Sequence, residues 1–161
     1  MKPASVKDIK SELIFKSKEE LIELCLSMSK HKKENKELLT YFLFERQDEV
    51  GYIKEIKNEI DTLIDAINYN TYYHATKGLR KVLRICKKYI RYSKNKETEA
   101  EVLIYFCSKV KRIAQYYEFN ASLLSIYDKQ LEMAQKKIEA LHEDLQYDFN
   151  LMIEELLGDG H

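Results

Sequence analysis

Residues 71–94 read TYYHATKGLRKVLRICKKYIRYSK, and this stretch decides the class of fold. Its apolar and basic side chains recur at steps of three and four, which is the period of an α-helix. On a helical wheel the basic side chains fall within an arc of roughly 140°, and the apolar side chains cluster opposite. The stretch therefore predicts a helix from a Thr71 cap to about Tyr92, with an apolar back and a cationic front. The basic side chains are Lys77, Arg80, Lys81, Arg84, Lys87, Lys88, Arg91 and Lys94.

The rest of the chain also favours helices, because residues that break them are rare. One proline and four glycines occur in 161 residues, whereas a sheet protein of this size needs more turn residues. The length suits a single domain that covers residues 1–161. We thus expect an all-α fold of about seven antiparallel helices, either in a bundle or in a short, repeat-like array of helical hairpins.

Capping signals and apolar stripes predict the helix boundaries. Ser5 and Ser17 each precede an acidic residue at the third following position, which is typical of helix starts. A polar connection is expected at 30–36, before a third helix. The helices are expected at about 5–15, 17–30, from 36, from 48, 71–92, 96–119 and 120–157.

The C-terminal stretch, residues 120–157, contains neither glycine nor proline, and its apolar residues follow a heptad pattern. A single helix of about 37 residues would be roughly 55 Å long. It either projects and pairs with a second chain or bends near residues 147–150, where Asp148 interrupts the stripe. We favour the bend. The candidate oligomer contacts are Leu124, Leu131, Ile138 and Leu145.

Charge is unevenly spread along the chain, although the net charge is zero. Residues 66–96 hold nine basic and no acidic residues, whereas residues 113–161 hold ten acidic residues and three lysines. Like charges at helical spacing repel, so an acidic counterpart to the basic helix is expected. This counterpart is an acidic segment of the same chain, an acidic protein partner (a second copy included) or a nucleic acid. We favour a segment of the same chain. The internal candidates are Glu55, Glu59, Asp61, Asp65, Asp128, Glu132, Glu139, Glu143 and Asp144.

Several tyrosines lie in or just before the basic helix. Such aromatic side chains could stack on the bases of a nucleic acid. We favour packing, because tyrosines at helical spacing usually bury the ring and leave the hydroxyl in water. These residues are Tyr69, Tyr72, Tyr73, Tyr89 and Tyr92.

Motifs for catalysis, cofactors or metals are missing from the sequence. Glu139 and His142 have the spacing of a metal-binding pair, but di-iron bundles need two such pairs and two further glutamates. No nucleophile elbow, glycine-rich loop or Walker motif occurs. We therefore predict no enzyme activity, no cofactor and no metal site. Cys25, Cys86 and Cys107 are expected to be buried, reduced thiols.

The first 45 residues carry three amphipathic segments: VKDIKSEL from Val6, SKEELIEL from Ser17 and KENKELL from Lys33. In these segments the chain resembles a family of small all-helical bacterial proteins of unknown function. The resemblance implies a bacterial cytoplasmic protein and no activity. The absence of a signal-peptide pattern and of a long apolar run gives the same expectation, a cytoplasmic protein without a membrane segment.

These observations predict a non-catalytic module for protein–protein interaction or scaffolding. Its surface is either the basic helix or the long last helix. The alternative is nonspecific binding of a nucleic-acid phosphate backbone through residues 77–94, which needs rows of lysine and arginine and little else.

Overall fold

A computed structural model describes residues 1–115 and 121–158 of the chain. The described residues contain α-helices, one π-helical turn and no strand, so the all-α prediction is confirmed. Eight α-helices occur in them rather than about seven. Their bounds are α1 Val6–Ile14, α2 Lys18–His31, α3 Lys33–Thr40, α4 Glu49–Asp65, α5 Tyr72–Ser93, α6 Lys96–Ala114, α7 Ala121–Glu139 and α8 Glu143–Gly158, and the π-helical turn is Tyr41–Glu45.

Contacts divide the chain into two compact units, Met1–Phe44 and Glu45–His161, called here the N-terminal and the C-terminal unit. The prediction that residues 1–161 form one domain stays a prediction.

The N-terminal unit begins with the two predicted helix caps. The Ser5 hydroxyl accepts a hydrogen bond from the Asp8 backbone N–H at 3.2 Å. Ser17 and Glu20 form a reciprocal capping box at the start of α2. The predicted connection at 30–36 is wrong, because α3 already begins at Lys33.

The N-terminal unit has almost no buried core. Of its side chains, only Ser29 and Tyr41 are buried. The prediction that all three cysteines are buried is therefore wrong for Cys25, which is exposed. Its apolar neighbours in sequence are exposed as well, so they supply no interior for the thiol.

The C-terminal unit is organised around α6, which contacts α4, α5, α7 and α8. Val102, Leu103, Phe106 and Val110 of α6 are fully buried. Local sequence sets the starts of the surrounding helices. Side chains of Asp48, Thr71 and Asn95 cap α4, α5 and α6. The helix predicted at 96–119 ends at Ala114, and residues 116–120 lie outside the described residues.

At Gly78, helix α5 closely approaches Ile67, in the segment that follows α4. A Cβ atom added there would lie 2.8 Å from Cγ2 of Ile67, which is closer than real side chains pack. Glycine is therefore needed at this position for close approach rather than for an unusual backbone angle. The contact fixes the position of α5, whose outer side is the basic face.

The predicted long C-terminal helix is not confirmed. The chain leaves the helix at 140–142, and residues 147–150, where a bend was expected, lie inside α8. The Gln146 side-chain amide donates hydrogen bonds to the backbone oxygens of Leu141 at 2.8 Å and of Glu139 at 3.2 Å. These bonds satisfy carbonyl groups that a helix end leaves open. The break is thus stabilised by a side chain that lies beyond it.

The predicted oligomer stripe is largely taken up by the core of the C-terminal unit. Leu131 and Ile138 are buried on α7, which packs against α6, and Leu145 is half-buried. Leu124 alone of the four is exposed, at 47%. The heptad spacing therefore serves internal packing at two of its positions, which offer no surface to a second chain.

Candidate interaction surfaces

Helix α5 is held by its apolar back, and this leaves its basic side outward. Leu79, Val82 and Cys86 are at most 2% exposed. The eight basic residues named above form what we call the basic face. Lys87 and Lys88 are half-buried, and the other six are exposed: Lys77, Arg80, Lys81, Arg84, Arg91 and Lys94. Between Lys77 and Lys94 the face runs for about 25 Å along the helix.

The arginines of the basic face do not form ion pairs within the described chain. No carboxylate in residues 1–115 or 121–158 lies within salt-bridge distance of Arg80, Arg84 or Arg91. The favoured sequence interpretation, internal neutralisation by acidic helices, therefore does not hold for these three residues. Their guanidinium groups are available to an anion from outside the chain.

Lysines outside the basic face pair with two of the nine acidic residues that the sequence offered as internal partners, and with Glu99, which it did not offer. Asp61 pairs with Lys109 at 2.7 Å, and Glu132 pairs with Lys136 at 2.8 Å, one turn along α7. Glu99 pairs with Lys137 at 3.2 Å. Asp61 of α4 thus pairs with a lysine of α6, Glu99 of α6 pairs with a lysine of α7, and Glu132 pairs within α7. These three carboxylates are therefore paired away from the arginines of α5.

One exposed lysine of α7, Lys129, lies near the basic face, and the sequence did not single it out. Burial lowers the pKa of Lys87, and the nearby cations Lys129 and Arg91 lower it further against an opposing effect of Glu99. Lys87 Nζ lies 3.7 Å from Met133 Sδ. Lys129 therefore belongs to the cationic surface. No sequence signal marks it, since only the packing of α7 beside α5 brings it there.

Two grooves border the basic face. The first, of about 800 Å³, lies along the N-terminal half of α5, and none of the described residues that line it is a carboxylate. Its cationic lining consists of Lys77, Arg80, Lys81 and Arg84. The second, of about 400 Å³, lies at the C-terminal end of α5, where five cations accompany one carboxylate. The cations are Lys87, Arg91, Lys94, Lys96 and Lys137, and the carboxylate is Glu99, which already pairs with Lys137. Both grooves therefore favour an anion.

The tyrosines around the basic face fall into two groups. Tyr92 is buried, Tyr89 is half-buried, and the Tyr69 hydroxyl donates a hydrogen bond to the Ile64 backbone oxygen at 2.9 Å. These three pack, as predicted. Tyr72 and Tyr73 instead line the first groove and are exposed, at 41% and 69%. The ring of Tyr73 is thus accessible to a ligand.

A separate polar cluster lies between α4 and α6. The Tyr105 hydroxyl donates to both Asp61 oxygens, at 2.7 and 2.9 Å, and Lys109 Nζ lies 2.7 Å from Asp61 Oδ1. Burial acts to raise the pKa of Asp61, but these hydrogen bonds outweigh it and lower the pKa.

The pKa values of the two donors in this cluster move the other way. Burial and the hydrogen bond to Asp61 raise the pKa of Tyr105. Burial acts to lower the pKa of Lys109, but its bonds to Asp61 and Tyr105 outweigh this and raise it. An efficient general acid or base needs a pKa near the working pH. All three values move away from neutrality, so the cluster is stabilising rather than poised for proton transfer.

The Glu139–His142 pair does not have the geometry of a helical metal site. Helix α7 ends at Glu139, so the two side chains are not on one helical turn. The backbone N–H of Asp144 donates to His142 Nδ1 at 3.3 Å. No group of three or more potential metal ligands occurs in the described residues. No helix in the same residues is long and apolar enough to cross a membrane.

Comparisons of the chain with protein-family models, with curated proteins and with solved structures found no match. The resemblance of the first 45 residues to small bacterial helical proteins stays a prediction. The functional argument therefore depends on the surfaces themselves.

Proposed function

We propose that this chain is a non-catalytic interaction module that binds an acidic protein surface through the basic face of α5. One observation carries the proposal: Arg80, Arg84 and Arg91 are exposed and have no carboxylate partner within the described chain. Repulsion along such a row is unfavourable in the free protein, and an acidic partner relieves it.

The choice of partner class follows from the charge of the whole chain. The net charge is zero, with 27 acidic residues, so the molecule as a whole does not attract a long polyanion. A protein surface with a local cluster of carboxylates matches a face of about 25 Å. Arginine also pairs with carboxylates through two parallel hydrogen bonds, which adds geometric specificity.

A glutamate-rich peptide of about 20 residues, long enough to cover the face as a helix, tests the proposal. We expect the wild-type protein to bind it with an affinity that falls as salt rises. The affinity of the variant Arg80→Glu/Arg84→Glu is expected to be lower by at least about tenfold, which corresponds to about 1.4 kcal/mol or more.

The matched control is Arg46→Glu/Lys54→Glu, which changes the net charge equally. Both residues are exposed, belong to the C-terminal unit and lie outside the basic face. Equal weakening by the two double variants would show that net charge, not the basic face, governs binding. Absence of peptide binding at low salt would overturn the proposal.

The second candidate function is nonspecific binding of a nucleic-acid backbone by the basic face. The exposed ring of Tyr73, in a groove whose described lining contains no carboxylate, favours it, since bases stack on such rings. In that case a single-stranded oligonucleotide binds more tightly than the peptide, and Tyr73→Ala weakens only the oligonucleotide. Tyr147→Ala is the control, because Tyr147 on α8 is exposed to a similar extent, at 66% against 69%.

A further inference from the structure

Helix α2 exposes apolar side chains that a stable protein normally covers. Its five large apolar side chains, Leu21, Ile22, Leu24, Leu26 and Met28, are between 36% and 64% exposed. The N-terminal unit buries only Ser29 and Tyr41. A segment of this size with no core of its own is marginal without a disulfide, a metal or oligomerisation. The helix therefore needs an apolar surface to pack against.

The apolar stripe on α2 is symmetric about the middle of the helix. Leu21, Leu24, Cys25 and Met28 share an arc of roughly 100° on a helical wheel. Because α2 spans Lys18–His31, its midpoint lies between Leu24 and Cys25. A two-fold axis at this point places Leu21 opposite Met28 of a second copy, and Leu24 opposite Cys25 of that copy. Two identical stripes are then in register with each other, as an interface between identical chains requires.

The charges of α2 specify the direction of such a pair. Its first half carries Glu19, Glu20 and Glu23 against one lysine, Lys18, and a basic segment, KHKK at residues 30–33, comprises its last two residues and the two that follow. An antiparallel arrangement places the acids of one copy beside the lysines of the other, whereas a parallel one places like charges together. Antiparallel helices also bring opposite dipole ends together.

We propose that α2 is a self-association surface, on which a second copy of this chain packs antiparallel about a two-fold axis between Leu24 and Cys25. The surface is independent of the basic face, so this proposal does not depend on the proposed acidic partner. It also differs from the oligomer contact that the last helix suggested, because Leu131 and Ile138 of that contact are buried.

Mass measurement by light scattering is the first test. We expect the full chain to be a dimer and Leu21→Asp/Leu24→Asp to be a monomer, since charges cannot be buried in an apolar interface without large penalty. The control is Leu124→Asp, which places the same charge on an exposed leucine of α7 (47% exposed against 42% for Leu24) and should leave the dimer intact. A monomeric wild-type protein, or a dimer that only Leu124→Asp dissociates, would refute the proposal.

Cross-linking of the wild-type chain gives a second test that needs no destabilising change. Cys25 is exposed, whereas Cys86 and Cys107 are buried, so a short bismaleimide reacts first at Cys25. We expect rapid formation of covalent dimer. The control variant, Cys25→Ser/Ser27→Cys, moves the thiol to an exposed position on the polar side of α2. It should cross-link much more slowly, and equal rates would contradict the antiparallel arrangement.

Discussion

Removing one charge from the middle of the basic face should stabilise the protein. Arg84 has four cationic neighbours on the helix, Arg80 and Lys81 on one side and Lys87 and Lys88 on the other. Each like-charge pair at a spacing of three or four residues costs about 0.2–0.5 kcal/mol. Four such pairs sum to about 1–2 kcal/mol, and solvent screening brings the expected gain of Arg84→Gln to about 1 kcal/mol. Glutamine suits the test, because its helix propensity is close to that of arginine.

Urea unfolding at two ionic strengths measures this effect. At about 10 mM salt, where screening is weak, we expect Arg84→Gln to unfold at a higher urea concentration than the wild type. At about 1 M salt the difference should nearly vanish, because charges one helical turn apart are then screened.

A cation with a partner supplies the control. Lys57 Nζ lies 2.6 Å from Glu101 Oε1, and both side chains are about a quarter exposed. Lys57→Gln should therefore destabilise the protein, by about 1 kcal/mol, which is opposite in sign. A loss of stability in Arg84→Gln at low salt, comparable with that of Lys57→Gln, would refute the conclusion that Arg84 has no acidic partner in residues 1–115 and 121–158.

Three further predictions concern the C-terminal unit. Gly78→Ala should destabilise this unit by about 1–2 kcal/mol despite the better helix propensity of alanine, because the new Cβ would lie 2.8 Å from Ile67. Thermal unfolding measures this loss, and adding Ile67→Ala should relieve the clash. Asp61→Asn should be less stable than the wild type at pH 7, because the lowered pKa of Asp61 stabilises the fold above about pH 4. This difference should shrink as the pH falls through the lowered pKa, and a constant difference would contradict the assignment. Burial raises the pKa of Cys86 and Cys107 to about 12, so in a thiol titration at pH 8 these two should react only after unfolding.

Local sequence predicted the features of this fold that depend on neighbours along the chain. The caps at Ser5, Ser17 and Thr71 were predictable, because a capping side chain acts on backbone N–H groups only two or three residues away. The apolar back of α5 was also predictable from its helical period. These features need no knowledge of which helices touch.

Features that depend on contacts between helices were missed. The apolar stripe of α7 has heptad spacing whether it packs against a second chain or against α6. The sequence therefore could not predict whether Leu131 and Ile138 are buried within the chain or contact a second copy. The break after Glu139 depends on how the Gln146 side chain folds back onto the preceding carbonyls. The partners of the acidic residues likewise depend on packing, since Asp61 forms its ion pair with Lys109 of α6 rather than with a basic residue of α5.

The candidate site was therefore predictable as a set of residues but not as a surface. Its arginines follow from the helical wheel. The absence of a carboxylate partner for them among the described residues, and the contribution of Lys129, depend on the neighbouring helices. The exposure of Cys25 could not be predicted either, because apolar neighbours in sequence indicate burial only where a core exists to receive them.

The central claim is that the basic face is accessible and binds an acidic partner. Lysine acetylation followed by mass spectrometry tests this claim most directly. In the free protein, Lys77 and Lys81 should be acetylated as fast as Lys54, which is also exposed but lies on α4. Adding polyglutamate should slow the acetylation of Lys77 and Lys81 and leave Lys54 unchanged. The account would be contradicted if Lys77 and Lys81 reacted in the free protein as slowly as the ion-paired Lys109. It would also be contradicted if polyglutamate protected Lys54 from acetylation as strongly as it protects Lys77 and Lys81.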